Sequence, residues 1–501
     1  MTADEQHDPG QQDLKKQIGL GFVWIIASRW GVRSLGLIST VILARLLAPE
    51  DFGLIAMASA FAAIISGFAD MGLGMALISI KNIESRHFNT AWTISIIVGV
   101  VISLIIFALG PVAADYYNEP RIEEILSWLA LASFIGHTAN TKKALFLKEL
   151  QFNKEFQFTV ITKVLSVIVA VIAAFSLRDY RALIVASVVN SAIGSMVSYI
   201  MIPHFPKFDL SARSEIMNFS LWMMLRSFAL TAMTRLQQAV MGPFFGPERL
   251  SYYYMGSEIG NMLTGELGLP LGRVLLPGFS KVQDESDRLI RGLRLSFAAI
   301  LIVLPFGFGI AALAEAFVLL VLGEQWLAAA PLLTLLSISG AIRTIGAPFG
   351  PLLLAKKRVK HVALCMVACS VFLVVSTYML APTQSLVLIA WAQIITMILL
   401  LVGLIWMTSK VCLINVFEFF YMTVRPLLAS VAMYFVVSLG QEAVNFSPWL
   451  ALIIWPPIGA VVFFVILFVL WFAVRKPFGF EELVFKALKL GIQKIRPSSV
   501  I

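Results

Sequence analysis

The chain has 501 residues, of which 59% are hydrophobic and 13% charged. Soluble domains sit at roughly 45–50% apolar and about 25% charged, so the composition excludes a soluble enzyme, a disordered chain and a disulfide scaffold. The formal charge of +9, from 38 Lys and Arg against 29 Asp and Glu, would suggest nucleic acid in a soluble chain; here it asks where the cations sit relative to a bilayer.

Residues 1–17 are polar and acidic. They lack the cationic start, short apolar core and small-residue cleavage site of a signal peptide, so the first hydrophobic segment reads as a retained anchor. A spanning helix needs about 20 mostly apolar residues. That window predicts fourteen spans: 18–44, 53–78, 90–112, 125–146, 157–177, 182–202, 216–241, 250–279, 292–314, 327–355, 361–381, 386–408, 419–440 and 449–473. The predicted fold class is an all-α polytopic membrane protein. Its expected parts are a cytoplasmic segment 1–17, a six-helix bundle 18–202, a linker 203–215, a second six-helix bundle 216–408, two further helices in 409–473 and a basic tail 474–501. The tail aligns Phe480, Val484 and Leu488 on one helical face beside lysines, as an interfacial helix at an anionic leaflet would.

With a cytoplasmic N-terminus, the inside segments hold 25 of the 38 cations, the outside segments five and the spans eight. This bias is what the positive-inside rule gives for two cytoplasmic termini. The net charge therefore reports orientation, and no nucleic-acid role is needed. No segment is long enough for a separate soluble domain.

An internal repeat underlies the count. Pro49 and Glu50 recur as Pro247 and Glu248 at an offset of 198, and Gly74 falls on Gly272. Six spans separate the copies, so the halves share one membrane orientation, the parallel-repeat plan of many transporters, with a substrate path between halves.

The in-span cations are Arg29, Arg33, Lys163, Arg226, Arg235, Arg273, Arg343 and Arg425. At about 1.5 Å of rise per residue, Arg29, Arg226 and Arg343 lie near the bilayer midplane. A mid-membrane arginine usually faces a cavity or a partner. Lys163 and Arg273 lie close enough to a cytoplasmic end to snorkel. Arg29 and Arg33 share a face of span 1 at i and i+4, and the repeat offset places Arg29 on Ser227, next to Arg226. Guanidinium pairs two-toothed with phosphate and keeps its charge when buried. Arg29, Arg33, Arg226 and Arg343 are therefore the expected ligands of a diphosphate headgroup. Asp70, Glu258 and Glu266 are the in-span acids, suited to salt bridges or to coupling by an ion. His137 is a lone intramembrane histidine, suited to a hydrogen-bonded structural role or a proton relay. Gly268 beside Pro270 is the expected hinge, or else a place of close helix packing.

His361, Cys365 and Cys369 share one helical stripe, but a metal site needs more ligands and a second shell. No metal or cofactor is expected. The odd count of three cysteines argues against structural disulfides.

The segments LARLLAPEDFGL (43–54), FADMGLGMALI (68–78), KELQFNKE (148–155), RVLLPGFSKVQDE (273–285), LGEQWLAAAPLL (322–333) and RTIGAPFGPLLLAKKRV (343–359) resemble the polysaccharide-transporter branch of the multidrug/oligosaccharidyl-lipid/polysaccharide exporter superfamily. The resemblance is to Wzx-type exporters of the colanic-acid and succinoglycan kind and runs from about residue 15 to 475. It implies two six-helix bundles in a V, open alternately to each side. It also implies flipping of an undecaprenyl-diphosphate-linked oligosaccharide across the bacterial inner membrane, with cationic residues in a cavity; Arg29, Arg33 and Arg226 occupy comparable first-helix positions. The expected partners are that lipid-linked oligosaccharide, membrane lipids, and a polymerase with its assembly proteins. One competing reading is a drug or organic-cation antiporter, which wants an acidic, aromatic-lined cavity. The other is a membrane polysaccharide polymerase, which usually needs a large external loop.

Overall fold

The structure, a computed structural model, describes residues 31–67, 73–80, 82–149, 151–444, 446–475 and 477–485. Every regular element among them is helical. In lipid each backbone N–H and C=O must be satisfied within the protein, and a helix does this within one segment. Ten helices among the described residues are long and apolar enough to cross a membrane, so the chain is a multi-pass membrane protein. The chain divides into two compact units, 1–248 and 249–501.

The first unit contains α1 (31–46), α2 (Pro49–Ser66), α3 (Leu73–Ser79), α4 (Ser85–Ala108), α5 (Gly110–Tyr117), α6 (Arg121–His137), α7 (Ala144–Lys148), α8 (Phe152–Leu177) and α9 (Arg181–Met201). A long helical run, α10 (Arg213–Lys281), follows, with a non-helical break at Gly246 (φ 70°, ψ 173°), a conformation that glycine adopts without a Cβ clash. Small residues let helices approach closely here. A methyl on Gly99 of α4 would sit 2.5 Å from Cβ of His137, and one on Gly53 of α2 would overlap the Pro247 carbonyl, 1.7 Å from its oxygen. One on Gly242 would meet the Tyr117 ring at 2.3 Å. α2 and α10 thus approach closely at Gly53 and Pro247, beside the repeated Pro-Glu pairs.

The connector 203–212 is strapped across one end of this unit. Buried Asn140 donates from Nδ2 to the carbonyls of Ile202 (2.8 Å) and His204 (3.2 Å). Side chains at the start of α4 take the strap's amides: Asn89 Oδ1 accepts from Lys207, Thr93 Oγ1 from Asp209 and Thr90 Oγ1 from Ala212.

The second unit continues with α11 (Ser286–Ile300), α12 (Val303–Ala312) and α13 (Ala314–Phe317), then a π turn (Val318–Leu322) and a 3-10 turn (Glu324–Ala329). It ends with α14 (Ala330–Ile345), α15 (Phe349–Ala355), α16 (Val359–Leu380), α17 (Leu386–Cys412), α18 (Val416–Ala443) and α19 (Pro448–Ala473). Phe297, Phe349 and Phe419, all fully buried, form a three-ring cluster with centroids 5.0–5.3 Å apart. Such edge-on pairs add about 0.5–1.5 kcal/mol each beyond the area they bury.

Several predicted spans are divided, and the divisions have local causes. Segment 292–314 breaks between α11 and α12. Pro305 offers no N–H to the Leu301 carbonyl, and tighter bonds from Leu301 to Ala298 and from Leu304 to Leu301 fill the gap. Segment 327–355 breaks at Gly346, where Pro348 withholds the N–H that the Thr344 carbonyl would take; Ala347 N–H supplies it instead. Segment 90–112 is divided at Leu109, just before Pro111. Segment 125–146 ends its helix at His137, because Asn140 turns the chain and caps the next short helix by accepting from Lys142 N–H.

One further repeat, missed in the sequence, is visible in three dimensions. Lys148 Nζ donates to the carbonyls of Leu77 and Ile80, and Lys356 Nζ donates to the carbonyl of Gln283 at 2.5 Å. Each unit thus uses one lysine to cap the end of a helical segment, a favourable place for a cation.

Candidate functional site: membrane-embedded charges and a polar cavity

The expected site residues fall into three groups. Arg29 and Asp70 lie outside the described residues. Arg226, Glu266, Gly268 and Pro270 lie on the helical backbone of α10. Helical geometry continues through 268–270, and the non-helical residue of α10 is Gly246. Arg33, His137, Glu258 and Arg343 are described with their surroundings.

Arg33 lies on α1 and is half-buried. It has a like-charged neighbour: Lys163 of α8 lies beside Gly36, with Nζ 3.8 Å from where a methyl on that glycine would be, and it interacts electrostatically with Arg33. The Lys163 side chain therefore lies beside α1. Two cations held near one another in a membrane-embedded unit repel, and an anion lying beside both relieves the repulsion.

Arg343 lies in the last turn of α14, where the helix dipole favours a cation. Its side chain is exposed, as is that of Glu258 on α10, and the Glu258 carboxylate acts on it electrostatically. Gly265 faces the guanidinium; a methyl there would be 3.7 Å from a terminal nitrogen. Gly265 leaves room beside the fork.

Arg425 shows the contrasting arrangement. It is buried in α18 and paired two-toothed with Glu481, Nε to Oε1 at 2.7 Å and a terminal nitrogen to Oε2 at 3.4 Å. Glu481 is fully buried. Phe480 packs beside Phe463, and Trp471 Nε1 donates to the Pro477 carbonyl. Residues 477–485 are therefore packed onto α18 and α19, and Arg425 serves structure. Sequence reading missed this pair because the acid lies 56 positions downstream, in a segment read as interfacial.

His137 sits where α6 meets α4. Nδ1 contacts the Ser133 carbonyl at 2.8 Å, and the His137 carbonyl accepts from Ser95 Oγ. A carbonyl only accepts, so Nδ1 carries the hydrogen, and Nε2 is left for another partner.

His137 also borders a feature the sequence reading missed, an open cavity of about 670 Å³ in the first unit. Ser59 and Ser66 of α2, Ser133 and His137 of α6, and Ser187, Asn190 and Ser191 of α9 line it, with Ser95 of α4. Alanines and Gly136 fill the positions between. The signal was present as spacing: Ser59, Ala62, Ala63 and Ser66 recur at i, i+3, i+4 and i+7, and Ser187, Asn190 and Ser191 at i, i+3 and i+4. These place small polar residues on one face of each helix. Attention to charge alone passed them over. No group of three or more potential ligands suited to a metal ion occurs among the described residues.

Outside the spans, Arg121 ties Glu119 (2.7 Å) and Glu50 (2.5 Å) into one network. Arg121 holds the Glu119 carboxyl below its usual range by hydrogen bonding and charge.

A family described as "Polysaccharide biosynthesis protein" matches residues 42–331. The lipopolysaccharide biosynthesis protein WzxC of Escherichia coli (strain K12) is 25% identical over 359 residues, 69% of this chain and 71% of that one. The succinoglycan biosynthesis transport protein ExoT of Rhizobium meliloti (strain 1021) is 24% identical over 333 residues, 66% of this chain and 67% of that one. Among solved structures, the lipid II flippase MurJ in an inward closed conformation superposes with a TM-score of 0.73 over 90% of this chain and 99% of that chain, at 14% identity. That likeness shows a shared fold.

Proposed function

Because the chain belongs to the polysaccharide biosynthesis protein family, we propose that it is a flippase for undecaprenyl-diphosphate-linked oligosaccharide repeat units, acting in exopolysaccharide or lipopolysaccharide synthesis. In coarser terms it is a membrane transporter of polysaccharide biosynthesis and not an enzyme. In the proposed cycle the units cross the bacterial inner membrane by ion-coupled alternating access, and both termini are cytoplasmic.

The observation that carries the reading is Arg343: an exposed arginine in the last turn of α14, within a segment apolar enough to span a membrane, with a glycine leaving room beside its guanidinium. Guanidinium and phosphate match in geometry as well as charge. Arg33 with Lys163 supports the same chemistry in the first unit. Arg29 and Arg226 complete the proposed diphosphate ligands. Glu258, Glu266, Asp70 and His137 are the proposed groups for ion coupling or for balancing these charges, and Gly268 with Pro270 is the proposed hinge. Three deep arginines disfavour an organic-cation cargo, which like charge would repel.

The test is a strain lacking the protein. Its polyprenyl-linked sugars are extracted, identified by mass spectrometry, and probed for sidedness with an impermeant glycosidase on intact spheroplasts. Complete repeat units protected on the cytoplasmic face are the expected result. Units reaching the outer face at the wild-type rate, yet unpolymerised, would overturn the reading in favour of polymerisation.

A further inference from the structure

We propose that two segments, the strap after α9 and the turn after α17, are interfacial anchors that seat in one leaflet of the bilayer and bind the headgroups of anionic phospholipids. In the first unit Phe205 and Phe208 enter the boundary between headgroups and acyl chains beside Lys207. In the second unit Leu413 and Phe417 do so beside Lys410.

Both segments lie outside the predicted spans, yet each presents large apolar side chains. Phe205 is 81% exposed and Phe208 74%; Leu413 is 91% exposed and Phe417 65%. A fixed backbone holds them out. Side chains of α4 take the strap's amides. Phe205 stacks on Tyr199 with centroids 6.0 Å apart, and Phe208 packs on Trp92 at 5.2 Å. Trp92 Nε1 donates to the Tyr199 hydroxyl at 3.0 Å. Rings with satisfied polar atoms and open apolar faces are the material of an aromatic belt at a membrane surface.

The turn after α17 is built differently and presents the same chemistry. Leu413 ends the helix at φ 54° and ψ 38°, and Ile414 N–H reaches back to the Ser409 carbonyl. This left-handed cap ordinarily belongs to glycine, because a Cβ is crowded there. A leucine that takes the strained conformation and leaves its side chain uncovered is unfavourable in water on both counts, and acyl chains remove the second of them. Asn415 Oδ1 accepts from Phe417 N–H at 3.0 Å and fixes the start of α18.

Lipid is the occupant because each patch continues the exposed apolar face of a spanning helix. Met196 and Ile200 of α9 lead to Phe205, and Val402, Trp406, Lys410 and Leu413 recur at helical spacing along one face of α17. A soluble partner would need a surface standing clear of the bilayer. The lysines select the headgroup. Lys207 and Lys410 are exposed and form no ion pair among the described residues. A lysine at this boundary lays its stem on apolar surface and brings its ammonium to phosphate. The two anchors follow the sixth predicted span of each half, 182–202 and 386–408, so the repeat assigns them to the same leaflet.

The experiment exposes the wild-type full chain to hydroxyl radicals in nanodiscs of phosphatidylcholine and phosphatidylglycerol, and mass spectrometry reads the oxidation of each phenylalanine. Phe372 of α16 and Phe435 of α18, exposed on spanning helices, set the rate for a lipid-covered ring. Phe205, Phe208 and Phe417 are expected to react at that rate, although they are the more exposed in the protein itself. Oxidation severalfold faster overturns the anchors. Fast oxidation in nanodiscs with protection in native membranes would assign the patches to a protein partner and overturn them as well. The headgroup is tested by the lipids that copurify. The wild type is expected to be enriched in phosphatidylglycerol over phosphatidylcholine, and Lys207→Gln with Lys410→Gln to lose most of that enrichment at an unchanged unfolding midpoint. No enrichment in the wild type, or equal enrichment in both proteins, overturns the assignment to anionic lipid. Both readouts are independent of the transported cargo.

Discussion

Two arginines in membrane-embedded helices of the second unit are treated in opposite ways. Arg425 is buried against a fully buried carboxylate, and the segment carrying that carboxylate is packed onto α18 and α19. Arg343 is exposed, flanked by a glycine, with Glu258 acting on it only through its charge. Both read in the sequence as cations within predicted spans. What separates them is the partner: a buried ion pair closes off its arginine, whereas an accessible guanidinium retains capacity for an anion that arrives from elsewhere. An intramembrane arginine therefore becomes a candidate binding residue only once its structural partners are known.

The largest effect expected is at the closed pair. Glu481→Ala leaves a buried, uncompensated guanidinium and should cost about 3–5 kcal/mol, seen as a drop in the unfolding midpoint of the detergent-solubilised protein. Replacing both partners, Arg425→Met with Glu481→Leu, should recover most of that loss, because a buried pair and an apolar pair of similar size are often close in stability. If the single variant unfolds like the wild type, Arg425 is not structural and the contrast collapses.

Next in size is Arg343→Ala. Removing one charge-assisted contact of about 1.5–3 kcal/mol should slow flipping by roughly ten- to a hundredfold. The unfolding midpoint should stay within the small change expected of an accessible side chain. A variant that loses stability and activity together would make Arg343 a second Arg425.

Asn140→Ala tests whether the strap on the first unit is held by side-chain hydrogen bonds. It leaves the carbonyls of Ile202 and His204 without their donor and should destabilise by about 1–3 kcal/mol. Hydrogen exchange at Lys207, Asp209 and Ala212 should quicken before exchange in α8 does.

The smallest effect is at Glu119, where Arg121 holds the folded carboxyl below its ordinary value. A depressed carboxyl contributes stability above its unfolded pKa, and the contribution is lost as pH falls through the folded value. Glu119→Gln should therefore lower stability slightly near neutrality and have no effect once the carboxyl is protonated in both states. Exposure and salt keep the effect small.

Legibility from sequence followed the same divide. The all-helical, membrane-spanning class was readable because an apolar run in lipid has few alternatives to a helix. Span ends were readable only in part. Pro305 and Pro348 are visible in the sequence, but whether a proline kinks a helix, as Pro426 does not end α18, depends on what neighbours supply to the freed carbonyl. Arg425 was unreadable because Glu481 lies far away along the chain. The serine-lined cavity was unreadable for another reason: each stripe alone resembles ordinary small-residue packing, and only the convergence of four helices turns the stripes into a space. Charge draws attention in a sequence, whereas a cavity is a property of several segments at once.

The most direct test of the account's central claim is flipping in proteoliposomes. The substrate is a diphosphate-linked polyprenyl oligosaccharide, and the readout is its protection from an external glycosidase. The account predicts flipping by the wild type and by the Arg425→Met, Glu481→Leu pair, with flipping by Arg343→Ala reduced at least tenfold at equal folded amount. Wild-type flipping by Arg343→Ala would contradict the assignment of that arginine to the substrate, and no flipping by the folded wild type with its coupling ion gradient imposed would contradict the flippase itself.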